Sequence, residues 1–379
     1  MRTILIDATC VAGRLTGIER YTQEITKEFV QQAGDHKYQF IILLSKKAQW
    51  LEPISNGDSV KIIKSPFSQR IFTEQVWIPY VIHFIEPSFA LFLGFPPGLS
   101  VFFLRKNIKI FKTVYDANMW LYPETLSLKN KFYMRPLELF GMHYYNFIFT
   151  ISESSLNGIV DFYPRLKNYI LNAGCGIDIV KFNNLDSMKL SAIMQKYNLS
   201  KRYILFVGTL EPRKNLPFLI SVLHKIKKQL QNIPLIIVGR QGWGAEDVID
   251  KINEFQMCDQ VRILGTVNDD DLPYIYKSAS MFLFPSIYEG FGLPVLEAMA
   301  AGIPVIASNT SSIPEVAGRA ALLLSPYDKN GWTDAILKVL GDENLRNRMI
   351  VDGFEQMKKF NWSDVATRII NTIKQYDKL

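Results

Sequence analysis

Cysteine and histidine are scarce in this chain, and their positions exclude several chemistries. The three thiols among 379 residues, Cys10, Cys175 and Cys258, lie too far apart for a disulfide framework or for the paired spacing of a zinc site. Reduced, buried thiols in a cytoplasmic protein are the expectation. His36, His83, His143 and His224 show neither ligand spacing nor a nucleophile motif beside them. Asp269 and Asp271, in "NDDDLPYIYKSA", have the spacing of a metal-binding pair, but they precede a helical run and are expected to cap it. No metal is expected. "GRQGWG" follows a strand yet misses the dinucleotide fingerprint, so no nicotinamide cofactor is expected, and no cofactor of any kind.

Repeats and low-complexity tracts are missing too. The N-terminus "MRTILIDATC" lacks the charged, apolar, small-residue order of a secretory signal, so export is not expected. The run "WIPYVIHFIEPSFALFLGFPPGLSVFFL" is long enough to span a bilayer, but four prolines and Glu86 interrupt any helix through it.

What is present is an ordinary folded composition, 48% hydrophobic and 21% charged, with a net charge of +7. Residues 1–174 hold 19 Lys and Arg against 14 Asp and Glu, and the remainder 24 against 22. Between Arg105 and Arg135, Lys106, Lys109, Lys112, Lys129 and Lys131 are mixed with Phe111, Tyr115, Trp120, Tyr122, Phe132 and Tyr133. That mixture suits an anionic membrane surface or a single-stranded nucleic acid. A solvated basic face over buried aromatics accounts for it equally well.

Strand-like runs alternate with helix-like ones from end to end, the pattern of parallel α/β architecture. The first series comprises "TILIDAT", "YQFIILLS", "VKIIKS", "IKIFKTVYD" and "NFIFTIS". The second comprises "YILFVGTL", "PLIIVGR", "VRILGTV", "MFLFPS", "PVIAS" and "ALLLS". A chain of this length exceeds what one core usually serves. Two Rossmann-like domains are expected, residues 1–174 and 175–360, with a capped amphipathic helix at about 361–379 packing back on the first. Open α/β sheets bind ligands beyond the carboxyl ends of their strands, so two such domains would face each other across a cleft.

The densest chemistry lies in "EGFGLPVLEAMAAGIPV", which places Glu289 before a glycine loop and Glu297 after it. "MFLFPS" reads as a strand, "IYEGFG" as a loop, and "PVLEAMAAG" as a helix starting near Pro294 with Glu297 in its first turn. Glycines before a helix start let N–H groups converge on an anion, and the helix dipole assists. The two acids then flank the anion, where a carboxylate accepts hydroxyl hydrogen bonds. A first-turn acid complementing the dipole is the plainer account of Glu297 alone. Arg213 and Lys214 follow the strand "YILFVG" and supply positive charge at the same end of the sheet. As a residue of a surface cleft, Lys214 is expected to be dispensable for folding.

"PSIYEGFGLPVLEAMAAGIPVIAS", with "FVGTLEPRKNL" and "GIERYTQEI", resembles the large retaining glycosyltransferase family four, of the two-domain GT-B fold. The resemblance spans nearly the whole chain and is strongest in residues 203–318. It implies a nucleotide-diphosphate sugar, GDP-mannose among the donors, bound mainly by the second domain. Glu289 and the amides of Gly290, Phe291, Gly292 and Leu293 would then hold the sugar and distal phosphate, and Glu297 the ribose. Arg213 and Lys214, next to Gly208 and Thr209, would neutralise the diphosphate. Backbone near Gly265 and Val267 would meet the base, and the loop at Gly17 would close over the phosphates. Similar enzymes often carry histidine where this chain has Tyr115, which leaves Asp116 as its partner in a catalytic pair of undecided role; Thr209 stands where many have arginine. The resemblance further implies a lipid-linked oligosaccharide acceptor, an anionic membrane surface at the inner face of the plasma membrane, and no nucleic-acid partner. An epimerase of similar fold and a silent nucleotide-sugar binder remain alternatives.

Overall fold

The structure is a computed structural model, and it describes residues 2–13, 17–51, 59–104, 108–123, 126–128, 130–183, 185–230 and 232–378. The chain divides into two compact units. Residues 1–176 with 361–379 form the first, and residues 177–360 the second.

The first unit is built on seven strands: β1 (Arg2–Ala8), β2 (Tyr38–Leu44), β3 (Val60–Lys64), β4 (Phe89–Phe92), β5 (Lys109–Thr113), β6 (Phe147–Thr150) and β7 (Ile170–Asn172). Their order is β3-β2-β1-β4-β5-β6-β7, with every pairing parallel. The near-continuous apolar runs of β1, β2 and β4 follow from burial on both faces. The sequence pattern misses β7, and also β4, which lies in the middle of the sheet. β4 hides inside the long apolar run, where "SFALF" has no period to separate it from its surroundings. That run is broken into a helix ending at Ile85, the strand β4, and a short helix Leu99–Phe102. Glu86 ends the first helix in the left-handed region, φ 52°, its N–H donating to the carbonyl of Ile82. No described helix is long and apolar enough to cross a membrane.

Two prolines shape the surface of this unit. Arg70–Phe72, Thr73–Trp77 and Ile78–Ile85 form one continuous helix whose middle turn is a π-turn just before Pro79. Asn130–Met134 is a π-turn just before Pro136 in the helix Arg135–Gly141. A proline ring clashes with the carbonyl four residues earlier, and a wider turn moves that carbonyl aside.

The terminal helix, Trp362–Tyr376, is capped by Asn361, whose side chain accepts from the N–H of Ser363. The helix lies against helix Gly17–Gln31: the Trp362 ring meets the edge of Tyr21 at 5.6 Å and Gln32 donates to Ser363 at 3.1 Å. Farther along, Tyr376 meets Phe111 at 5.4 Å.

The basic, aromatic stretch does not form one face. Lys112 is fully buried on β5, its ammonium donating to the carbonyls of Gly94 (2.9 Å) and Thr113, and Phe111 is a core residue. Lys112 therefore cannot meet a membrane. A strand inside a doubly covered sheet buries side chains of both parities, including one lysine satisfied by carbonyls. Arg105, Lys106 and Lys129 lie outside the described residues. Cys10 and Cys175 are buried, but Cys258 is exposed, contrary to expectation.

The second unit holds β8 (Ile204–Val207), β9 (Leu235–Val238), β10 (Val261–Gly265), β11 (Met281–Phe284), β12 (Val305–Ser308) and β13 (Ala321–Leu324), in the order β10-β9-β8-β11-β12-β13. All pairs are parallel. This is the doubly wound order, in which the winding direction reverses between β8 and β11.

Candidate active site

At that reversal the connections after β8 and β11 leave toward opposite faces of the sheet and open a crevice at its carboxyl edge. The β8 connection carries Gly208, Thr209 and the short turn Pro212–Lys214; the β11 connection carries Glu289 and Gly290, and ends at Gly292, the N-cap of helix Leu293–Ala300. Backbone stitches the two, with the N–H of Ile287 donating to the carbonyl of Arg213 at 2.8 Å. The edge is tightly packed. A Cβ on Gly239 would sit 1.8 Å from the carbonyl oxygen of Gly208, so only glycine lets β9 leave the sheet there. Gly292, at φ 106°, turns the loop into the helix in a conformation that side chains rarely adopt.

Three expected site residues meet in this crevice. Lys214 Nζ donates to Glu289 Oε1 at 2.5 Å, and Arg213 Nη1 to Glu289 Oε2 at 2.7 Å and to the carbonyl of Tyr288 at 3.0 Å. Arg213 Nε also pairs with Glu211 Oε1 at 2.5 Å. Burial alone would push the Glu289 carboxyl up; Arg213 and Lys214 outweigh it and hold the group at about 2. Burial, with Arg213 close by, pulls the Lys214 ammonium below the usual lysine range although Glu289 opposes it. The two cations are thus matched by two carboxylates. Lys214 is buried, over the Phe284 ring, so it is not the surface residue its sequence context implies.

The loop is pinned from β12 by residues that the sequence pattern did not single out. Ser311 accepts from the N–H of Glu289 at 2.9 Å, and the buried Ser312 donates to the carbonyls of Glu289 (2.9 Å) and Phe291 (2.7 Å). Ser311 adopts φ 51°, a left-handed conformation unusual for serine. The signal available was "NTSS" directly after a strand and before a proline-started helix. Phe291 stacks edge-on against Phe360 at 5.6 Å, which anchors the loop on its other side.

Glu297 lies in the second turn of its helix, because the helix begins at Leu293, with Pro294 as its second residue. The first-turn dipole account of this acid therefore falls away. Its Oε2 accepts from Tyr276 at 2.9 Å, and the residue is buried. Gly265 ends β10 at φ 69°, and Val267 beyond it is buried. Thr209 Oγ1 accepts from Arg240 Nε at 3.4 Å. Arg240, exposed just after β9, is a cation that sequence reasoning overlooked, since "GRQGWG" drew attention only as a failed fingerprint.

Asp116 and Gly17 belong to the other unit. Asp116 accepts from the N–H of Asn118 at the start of a short helix, and Gly17 opens the helix Gly17–Gln31. Tyr115 donates its hydroxyl to the carbonyl of Leu93, while its own carbonyl accepts from Ser155 at 2.9 Å. Burial raises its pKa well above the ordinary value, so the phenol stays protonated and serves as a strut. Asp271 stands at the N-cap position of helix Leu272–Lys277 but makes no side-chain cap bond; it accepts from Lys196 (2.6 Å) and Tyr197 (2.8 Å) instead. An ion pair outcompeted the local backbone donor.

Comparison with known proteins agrees with this architecture. Residues 191–356 match the family model described as glycosyl transferases group 1. O-antigen chain mannosyltransferase B of Escherichia coli is 33% identical over 266 residues, 69% of this chain and 69% of that protein. The serotype-specific mannosyltransferase WbdA of Escherichia coli is 29% identical across 96% of this chain, and the match spans 48% of that longer protein. Among solved structures, Anabaena HepE in complex with UDP and glucose superposes with a TM-score of 0.73 at 17% identity, over 99% of this chain and 100% of that one. With two parallel sheets of this order and these relatives, the chain is a GT-B protein that belongs to the group 1 glycosyl transferases.

Proposed function

We propose that this glycosyltransferase moves a hexose, mannose from GDP-mannose, to a hydroxyl of a lipid-linked or growing surface glycan, with retention at the sugar and without a metal. The observation that carries the reading is the meeting of Arg213, Lys214 and Glu289 at the sheet reversal, beside the glycine loop of helix Leu293–Ala300. HepE, of the same fold, was solved in complex with UDP and glucose, which supports a nucleotide-diphosphate donor, and two E. coli relatives are named mannosyltransferases, which supports mannose as the sugar; the guanine base rests on the family resemblance.

In this reading the diphosphate takes over part of the charge of Arg213, the more exposed of the two cations, and Arg240 beside Thr209 adds a second contact. Lys214 holds Glu289 ionised. That carboxylate retains lone pairs for a sugar hydroxyl and faces the positive charge that grows on the sugar as the bond to phosphate breaks. Helix Leu293–Ala300 presents its N-terminal amides and dipole to the leaving phosphate. Departure of the diphosphate is then assisted by charges already in place, the efficient form of electrostatic catalysis. Glu297, oriented by Tyr276, takes the ribose hydroxyls, and the backbone at Gly265 and Val267 the base. Asp116, in the first unit, serves the acceptor side. The enzyme works at the cytoplasmic face of a membrane, where a lipid-linked acceptor is presented.

Calorimetry with the free nucleoside diphosphate tests the division of labour, since it contains ribose but no sugar. Glu297→Ala should weaken that binding by about 1 to 3 kcal/mol, the scale of a hydrogen bond to a charged group. Glu289→Ala should not weaken it, since it frees Arg213 for the diphosphate, and should depress transfer sharply. Equal losses of affinity in both variants would refute the assignment.

A further inference from the structure

The continuous helix Arg70–Ile85 is apolar on two sides. Trp77, Ile78, Val81 and Ile82 face inward and belong to the core of the first unit. The outer side carries Phe72, Val76, Tyr80 and Phe84, which are 48%, 53%, 59% and 66% exposed, about one per turn along roughly 18 Å of helix. Ile71 stands open beside them, and the Tyr80 and Phe84 rings are 4.4 Å apart. A helix on a solvated surface ordinarily turns polar residues outward; one that is apolar all round is covered by something.

A further exposed aromatic stands near the start of the helix. Tyr133 donates to Glu74 at 3.1 Å and accepts from Gln75 at 3.0 Å, and Arg70 reaches the Met134 sulfur at 3.4 Å. These contacts hold the turn before Pro136 against the start of the helix. The same turn presents Phe132, 74% exposed, with exposed Lys131 next to it.

We propose that this face, Phe72, Val76, Tyr80 and Phe84 with Phe132, seats the protein on the outer few ångströms of an anionic lipid bilayer. Charge chooses lipid over a second copy of the chain. The helix stripe with Ile71 offers roughly 500 Å² of apolar surface, taking about 150–250 Å² for a whole aromatic side chain, and two copies meeting there would bring like-charged surroundings together. The surroundings are basic. Among the described residues from 59 to 145, Lys61, Lys64, Lys109 and Lys131 are exposed against one exposed carboxylate, Glu86. The whole first unit holds 22 Lys and Arg against 16 Asp and Glu, and the second 21 against 20. Apolar side chains entering the headgroup boundary beside lysines that attract anionic headgroups are the combination that holds an interfacial helix. The inference rests on the proposed membrane-borne acceptor only for its purpose; its test is independent of the donor site.

The test is co-sedimentation of the full chain with sucrose-loaded vesicles of phosphatidylcholine and phosphatidylglycerol, 3:1. The double variant Tyr80→Gln/Phe84→Gln and the single variant Val76→Asn, all at exposed positions, are compared with wild type for binding, circular dichroism and nucleoside-diphosphate affinity. The double variant should bind vesicles at least tenfold more weakly and Val76→Asn several-fold, with nucleotide affinity unchanged. Wild type should bind phosphatidylcholine vesicles at least tenfold more weakly than the mixed ones. Undiminished binding of both variants would overturn the proposal. So would a wild-type dimer in sedimentation equilibrium that the substitutions dissolve, because the face would then belong to a second copy. Should the donor reading fail, nucleotide affinity would be absent in wild type while the vesicle result stood.

Discussion

Glu289 lies buried between Arg213 and Lys214, and what its ionised form contributes to stability can be worked from its acidity. The Glu289 carboxyl falls from an ordinary 4.5 to about 2 on folding, which corresponds to about 3 kcal/mol of stabilisation at neutral pH. Because the folded-state value is depressed, that contribution is complete above about pH 4.5 and is lost as pH falls toward 2. Glu289→Gln keeps the shape, removes the charge, and leaves the buried Lys214 ammonium beside Arg213 with only the Glu211 carboxylate to offset the two cations. Urea unfolding at pH 7 should show the variant less stable by about 3 to 5 kcal/mol, the cost of breaking a buried pair. The gap between wild type and variant should then narrow by about 3 kcal/mol between pH 5 and pH 2. Taking the difference removes the other carboxylates, which protonate in both proteins. Lys214→Met should cost a similar amount, and the double variant less than the two together, since the second substitution removes an orphaned charge. A gap that stays constant with pH, or strictly additive losses, would refute the reasoning. Lys214 is buried, not at a cleft surface, which removes the ground for expecting that truncating it spares folding.

Two further outcomes follow from the same crevice. Ser312→Ala removes the hydroxyl that holds the carbonyls of Glu289 and Phe291; it should cost about 1 to 3 kcal/mol in thermal or urea unfolding and slow transfer more than it weakens nucleotide binding. Arg240→Ala should weaken nucleoside-diphosphate binding by about 1 to 2 kcal/mol in calorimetry without changing stability, as expected for an exposed phosphate contact; unchanged affinity would remove Arg240 from the donor site.

Alternation of apolar runs with amphipathic ones, read locally, was enough to announce parallel α/β architecture and eleven of the strands, because a strand buried on both faces advertises itself by composition. The loop and helix around Gly290 and Gly292 were legible for a related reason: glycine before a proline-started helix is a local signal with a local cause. The partners of that loop were not. Lys214 and Glu289 lie 75 residues apart and Ser312 reaches Glu289 across 23, and only the order of strands at the reversal brings them together. The same limit hid the middle strand β4 inside an apolar run. It also hid the fates of Lys112 and Phe84, one a lysine inside the core and the other a phenylalanine outside it. A side chain's chemistry is written in the sequence, but whether it meets core, carbonyl or open surface depends on which elements pack around it, and that the tertiary structure alone decided.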